Sequence, residues 1–166
     1  MDREIRSKLF NEMESYFGKD KRRIDHAHKV VEFAEEILKD SDNINELVII
    51  SAAVLHDIGI HACEKKYGSS AGHLQEKEGP PIAEGILIKL GFGKENIEEI
   101  CQIIAHHHSP GKINTQNFRV LYDADWLVNL KDEVDTKDKV KLRQIIDKVF
   151  LTPAGKSLAE KIYLFS

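Results

Sequence analysis

The 166 residues, 42% hydrophobic and 31% charged with only 10 Gly and 4 Pro, have the composition of one globular domain spanning 1–166, which excludes a disordered chain. A net charge of −4 provides no basic surface for a phosphodiester backbone, so no nucleic-acid polymer is expected as a partner. No apolar run reaches the roughly 20 residues of a bilayer span, the opening MDREIRSKLFNEME lacks a signal-peptide core, and Cys63 and Cys101 form no CxxC pair; together these predict a cytoplasmic protein with free thiols and no membrane partner.

Apolar positions recur at helical spacing through nearly the whole chain, and the β-branched alternation of strands is missing, so the fold class is all-α. The spacing predicts helices over about 3–17, 22–40, 44–58, 81–90, 95–108, 117–131, 137–150 and 154–164. Asn43 or Asn45 can cap the third of these, Gly59 can end it in a left-handed turn, and Thr152 followed by Pro153 opens the last. That third helix, NELVIISAAVLHDIG, is apolar on every face between Leu47 and Leu55 and should run through the centre of the bundle. After it comes GIHACEKKYGSSAGHLQEKEGPP, expected to be one long irregular segment and, because it starts beside His56 and Asp57, a lid. Lys65, Lys66 and Lys77 on such a lid would meet substrate phosphates.

Eight histidines cluster instead of scattering, and periodicity sorts them. His26 shares a stripe with Val30, Phe33 and Ile37 and faces the core, whereas His28 lines up with Glu32 and Glu35 on the polar face. His56 and Asp57 end the buried helix, where a carboxylate needs a partner and opposes the helix dipole. A divalent cation answers both costs, since imidazole and carboxylate suit zinc, manganese, iron or nickel. Asp125 falls on the stripe of Phe118, Leu121 and Val128 and is the natural fourth ligand. Asp123, on another face and four residues after Arg119, reads as a surface ion pair without a metal role. In the triplet at the end of the fifth predicted helix, His107 and His108 follow apolar stripes and His106 the polar side. For that pair two readings stay open: ligands of the site, or polar residues at a frayed helix end.

The ordered set of His26, LHDIG with His56 and Asp57, and DAD with Asp125 resembles the HD superfamily of metal-dependent phosphohydrolases over roughly residues 22–131. The resemblance implies a bundle of about six to eight helices, with the first helix and the last two packed outside that span. It maps the family's metal site onto His26, His56, Asp57 and Asp125, and implies hydrolysis of phosphate esters or anhydrides in a nucleotide or other small phosphorylated metabolite. Asp57 and Lys29 are the catalytic residues it suggests, Lys29 standing three residues after His26 where many relatives carry Arg. The IV-x-x-HH pattern of two-metal branches is similar to Ile103–His108 and selects His107 and His108 as further metal ligands, although Gly79 stands where those branches have His. His73, Glu76 or Glu78 are the candidate substitutes, with a solvated lid as the alternative. The GYP signature is absent, so cyclic dinucleotide hydrolysis is not indicated.

Four protein ligands favour a six-coordinate ion such as manganese, iron, nickel or cobalt over tetrahedral zinc, one ion with room for a second. Two other functions fit the same residues: a di-iron oxygenase, which needs the second site, and a catalytically silent nucleotide-binding module. Lys112 joins Lys29 and the lid lysines as a source of positive charge, and homo-oligomerisation is left open.

Overall fold

A computed structural model describes residues 1–41 and 44–165. Among these the chain is helical throughout its regular structure, with α1 Arg3–Phe17, α2 Lys21–Leu38, α3 Glu46–Leu55, α4 Ile60–Tyr67, α5 Gly72–Lys89, α6 Lys94–Ile104, α7 Gln116–Glu133, α8 Lys139–Val149 and α9 Pro153–Tyr163. Side-chain caps set many of the starts. Asp2, Asp20, Asn45, Thr115, Asp138 and Thr152 each accept a backbone N–H from the first turn that follows, satisfying donors the helix leaves unpaired. Asn43, the other candidate cap for α3, lies outside the described residues.

Helix α3 is the axis, as its unbroken apolar sequence requires. Every residue from Val48 to Leu55 is buried, and α1, α2, α6 and α7 pack around it. The most extensive helix pair is α2 with α7, and this pairing brings the faces of His26 and Asp125 together. One stretch, Glu46–Tyr67, does have the length and apolarity of a membrane span, which the expectation from the sequence overlooked; 72% of its most apolar window is buried inside the bundle, as for a core helix.

The irregular segment expected over residues 59–81 is instead two helices, from which Ile60 and Gln75 line the cavity described below. Ile60 and Cys63, one turn apart, turn the same side of α4 into the core. Helix α5 begins at Gly72 and continues through Pro80 and Pro81, each of which removes a helical hydrogen bond. Packing against α4 and α6 carries α5 across that gap. Gly59 is not the left-handed cap expected of it either, since its φ is −73°. It is glycine because α5 crosses there: a Cβ on Gly59 would stand 2.7 Å from the Gly79 nitrogen, and one on Gly79 would stand 2.9 Å from Ile104 Cγ2. The left-handed residue is Gly68, which ends α4 at φ 65°.

Asp123 also departs from the expected surface ion pair. It is fully buried and accepts hydrogen bonds from Leu151 N and Thr152 N at 2.8 Å and from Thr152 Oγ1 at 2.6 Å. Those groups form the junction between α8 and α9, and Gly155 follows because a Cβ there would come within 2.4 Å of Asp123 Oδ2. Periodicity along α7 could not reveal this, since the partners lie 28 and 29 residues away. Asp123→Ala strands three donors and should cost about 3 kcal/mol, each orphaned donor costing about 1–3. Urea unfolding measures it; a loss below about 0.5 kcal/mol, the range of an ordinary surface substitution, would return Asp123 to the surface-pair reading.

Candidate metal centre

Two of the histidines sit in the same local device. A helix leaves its last carbonyls without partners, and one ending inside the core cannot pass them to water. At the end of α3 the His56 Nδ1–H donates to Ala53 O at 2.8 Å, and just past α6 the His107 Nδ1–H donates to Ile104 O at 2.7 Å. Each bond fixes the tautomer and points the Nε2 lone pair inward. His107 Nε2 is buried and has no hydrogen-bond partner among the described residues.

The inward atoms converge. His26 Nε2, from α2, lies 3.0 Å from Asp125 Oδ1 of α7, 3.2 Å from His56 Nε2 and 3.6 Å from Asp57 Oδ2. His56 Nε2 is 3.6 Å from both Asp57 Oδ2 and Asp125 Oδ1, and His107 Nε2 is 3.7 Å from Asp57 Oδ1. Two overlapping trios, His26–His56–Asp57 and Asp57–His107–His108, each hold their ligand atoms within 4.8 Å of one another. These separations suit donors about 2.0–2.2 Å from a shared first-row divalent ion, and the nitrogen and oxygen donors match its chemistry. Asp57 belongs to both trios.

The electrostatics favour a cation. Burial alone would lower the pKa of His56, but Asp57 and Asp125 outweigh it and raise it to about 9. Burial would raise Asp125, yet hydrogen bonding to His26 and His56 holds it well below the usual carboxylate range. Asp57 is held low in the same sense by His56 and His107. His108 counts as exposed overall, but its ring lies against Gly72 and faces Gln75 Oε1 at 3.4 Å; burial of the ring, with His107 beside it, pushes it down to about 4.

His26, Asp57, His108 and Asp125 of this cluster line an open cavity of about 590 Å³. Lys29 reaches it as expected, and so do three cations the sequence reading passed over: Arg22, Arg23 and Lys131. Arg22 lies one turn before His26 on α2, a spacing that could have flagged it. Asn129, four residues after Asp125, donates its Nδ2 to Asp125 Oδ1 at 2.8 Å and was legible by the same rule. Gln75 carries no such signal, because the sequence around it reads as a loop and only the structure places it on α5.

Other candidates fall elsewhere. His28 stacks on Phe10 and bonds Glu14, consistent with its polar-face assignment. His106, His73 and Glu78 do not line the cavity, and Glu78 pairs with Lys66 and Tyr67. Glu76 instead braces the histidine turn by accepting from His108 N and Ser109 Oγ. Lys65 and Lys66 flank a separate hollow with Tyr16 and His61, Lys77 lies over the Tyr67 ring, and Lys112 lines neither space, so the expected lid lysines do not face the cluster.

This helical frame with histidine and aspartate donors at its centre is that of the HD domain. Residues 23–148 match that family, beyond the span first recognised by resemblance, and the chain belongs to it. The structure is also similar to the crystal structure of a predicted HD superfamily hydrolase from an uncultured Thermotogales bacterium, with TM-score 0.70 and 26% identity over 96% of this chain and 85% of that one. No curated protein matches the chain significantly.

Metal uptake must displace the proton that Asp57 and Asp125 stabilise on His56. Below pH 9 the proton competes, so the affinity of metal-free protein for Mn²⁺ should rise with pH, about tenfold per unit for one displaced proton. Calorimetric titrations between about pH 6.5 and about pH 8.5 read the slope, and an affinity independent of pH would remove His56 from the ligand set.

Proposed function

We propose that the chain is a metal-dependent phosphohydrolase acting on a small phosphorylated metabolite such as a nucleotide. The observation that carries this reading is the convergence of His26, Asp57 and Asp125, with buried His56 behind them, on a cavity that also presents Arg22, Arg23, Lys29 and Lys131 among the carboxylates of Asp25, Asp132 and Glu133. The cluster of nitrogen and oxygen donors suits a divalent cation, and the four Lys and Arg side chains suit a phosphate.

His26, His56, Asp57 and Asp125 would hold one cation, with His107 and His108 available beside Asp57 for a second. When bound, the cation supplies a water of lowered pKa and positive charge opposite the phosphoryl oxygens. Ala53 O and Ile104 O keep the histidine lone pairs aimed at the centre through the chemistry. Asn129 keeps Asp125 oriented, the kind of support that sets ligand geometry. Lys29 and Arg22 neutralise phosphate charge at the mouth, and Lys29 serves as a point charge where an Arg would bind bidentately.

A second reading, an HD-type di-iron oxygenase, is favoured by Asp57 standing between two trios and by the unpartnered His107 Nε2. Metal counting on anaerobically purified protein separates the two. One ion per chain removes the oxygenase.

The direct test is metal quantification with a screen of nucleotides, sugar phosphates and pyrophosphate. Asp57→Ala should lose bound metal and lower turnover by more than about 100-fold. Stoichiometric metal in that variant, or no metal-dependent turnover by the wild type on any compound, would sink the proposal. Lys29→Ala should keep its metal and raise KM by about tenfold, the size of one charge-assisted hydrogen bond. An unchanged KM would leave Lys29 a solvated surface residue.

A further inference from the structure

Beside the cavity, and sharing His108, Asp125, Asn129 and Glu133 with it, lies a smaller recess of about 240 Å³. Its distinguishing wall is aromatic. Phe118, Tyr122 and Trp126 follow one another at four-residue intervals along α7, with ring centroids 5.7 and 6.5 Å apart. Exposure rises along the series: Phe118 is fully buried, Tyr122 is 9% exposed and Trp126 is half-buried. Trp126 therefore lines the recess with its half-buried indole, next to the Tyr122 ring and directly adjacent in sequence to Asp125. The main cavity has no Phe, Tyr or Trp in its lining among the described residues.

Along Asp125, Asn129 and Glu133 the polar edge of the recess offers acceptors. The Asp125 carboxylate only accepts, so Asn129 must turn its nitrogen toward it, which leaves the amide oxygen for a ligand. Glu133 adds a carboxylate, His107 and His108 complete the lining, and no Lys or Arg lines this space among the described residues. Such a recess disfavours a phosphate and favours a flat ring with N–H groups on its edge. The Tyr122 and Trp126 rings are tilted by 55° and already in contact, so a ligand ring stacks on the Trp126 indole instead of entering between them.

We propose that this recess is a subsite for a flat heteroaromatic ring, stacked on Trp126 and bonded at its edge by Asn129 and Glu133. The inference rests on the phosphohydrolase reading for the role of the neighbouring cavity. With the ring on Trp126 and the phosphate among Arg22, Lys29 and Lys131, the substrate spans the wall the two spaces share, where Asp125 stands. Ring-bearing phosphate esters are then selected over sugar or alkyl phosphates.

Trp126 is the only tryptophan in the chain, so its emission reports the recess directly. Adenosine, which has the ring and no phosphate, should change the fluorescence of the purified protein saturably, while ribose 5-phosphate and inorganic phosphate should leave it unchanged. No response to adenosine, or an equal response to ribose 5-phosphate, overturns the subsite. In kinetics, the ratio of kcat/KM for adenosine 5′-monophosphate to that for ribose 5-phosphate should fall about tenfold in Trp126→Leu and be largely retained in Trp126→Phe, as base stacking predicts. An unchanged ratio in Trp126→Leu overturns it as well. If no phosphate ester turns over at all, the phosphohydrolase reading fails, and the adenosine titration still decides the recess.

Discussion

A helix that stops inside a core must give its last carbonyls a donor, and at two points of this bundle the donor is a histidine. His56 serves Ala53 and His107 serves Ile104, so one bond both closes the helix and aims a lone pair. The site is thus built into the way α3 and α6 end. Around those fixed nitrogens, α2 and α7 need only supply His26 and Asp125 at the right height, and their packing against each other does so.

The charge distribution follows from that arrangement. Carboxylates and imidazoles crowd at separations that raise His56 and lower Asp125, a balance a divalent cation relieves by taking the place of protons. Further out, Arg22, Arg23 and Lys29 from α2 and Lys131 from α7 line the same cavity, interleaved with Asp25, Asp132 and Glu133.

Helix α7 bears a candidate ligand, part of the cavity lining and the aromatic wall at once, and its position is fixed from the far side. Asp123, two residues before Asp125, is tied to the α8–α9 junction through Leu151 and Thr152. Side chains two apart point in widely different directions on a helix, so one acidic residue anchors the helix while its neighbour faces the cavity. The C-terminal helices therefore bear on the site without touching it.

Periodicity alone determined the all-helical fold, the central place of α3, and the inward faces of His26 and Asp125, because side-chain direction on a helix is a local property of spacing. It also separated His107 from His106, and the HD pattern joined the ligands before any distance was known. What required tertiary structure were the features whose cause lies far along the chain. Gly59 and Gly79 are glycines because two helices cross there, and Pro80 and Pro81 stay helical because neighbours hold α5 in place, so local rules misread 59–81 as a loop. The burial of Asp123 and the recess at Trp126 likewise depend on partners many residues distant, and spacing within one helix cannot encode a contact between several.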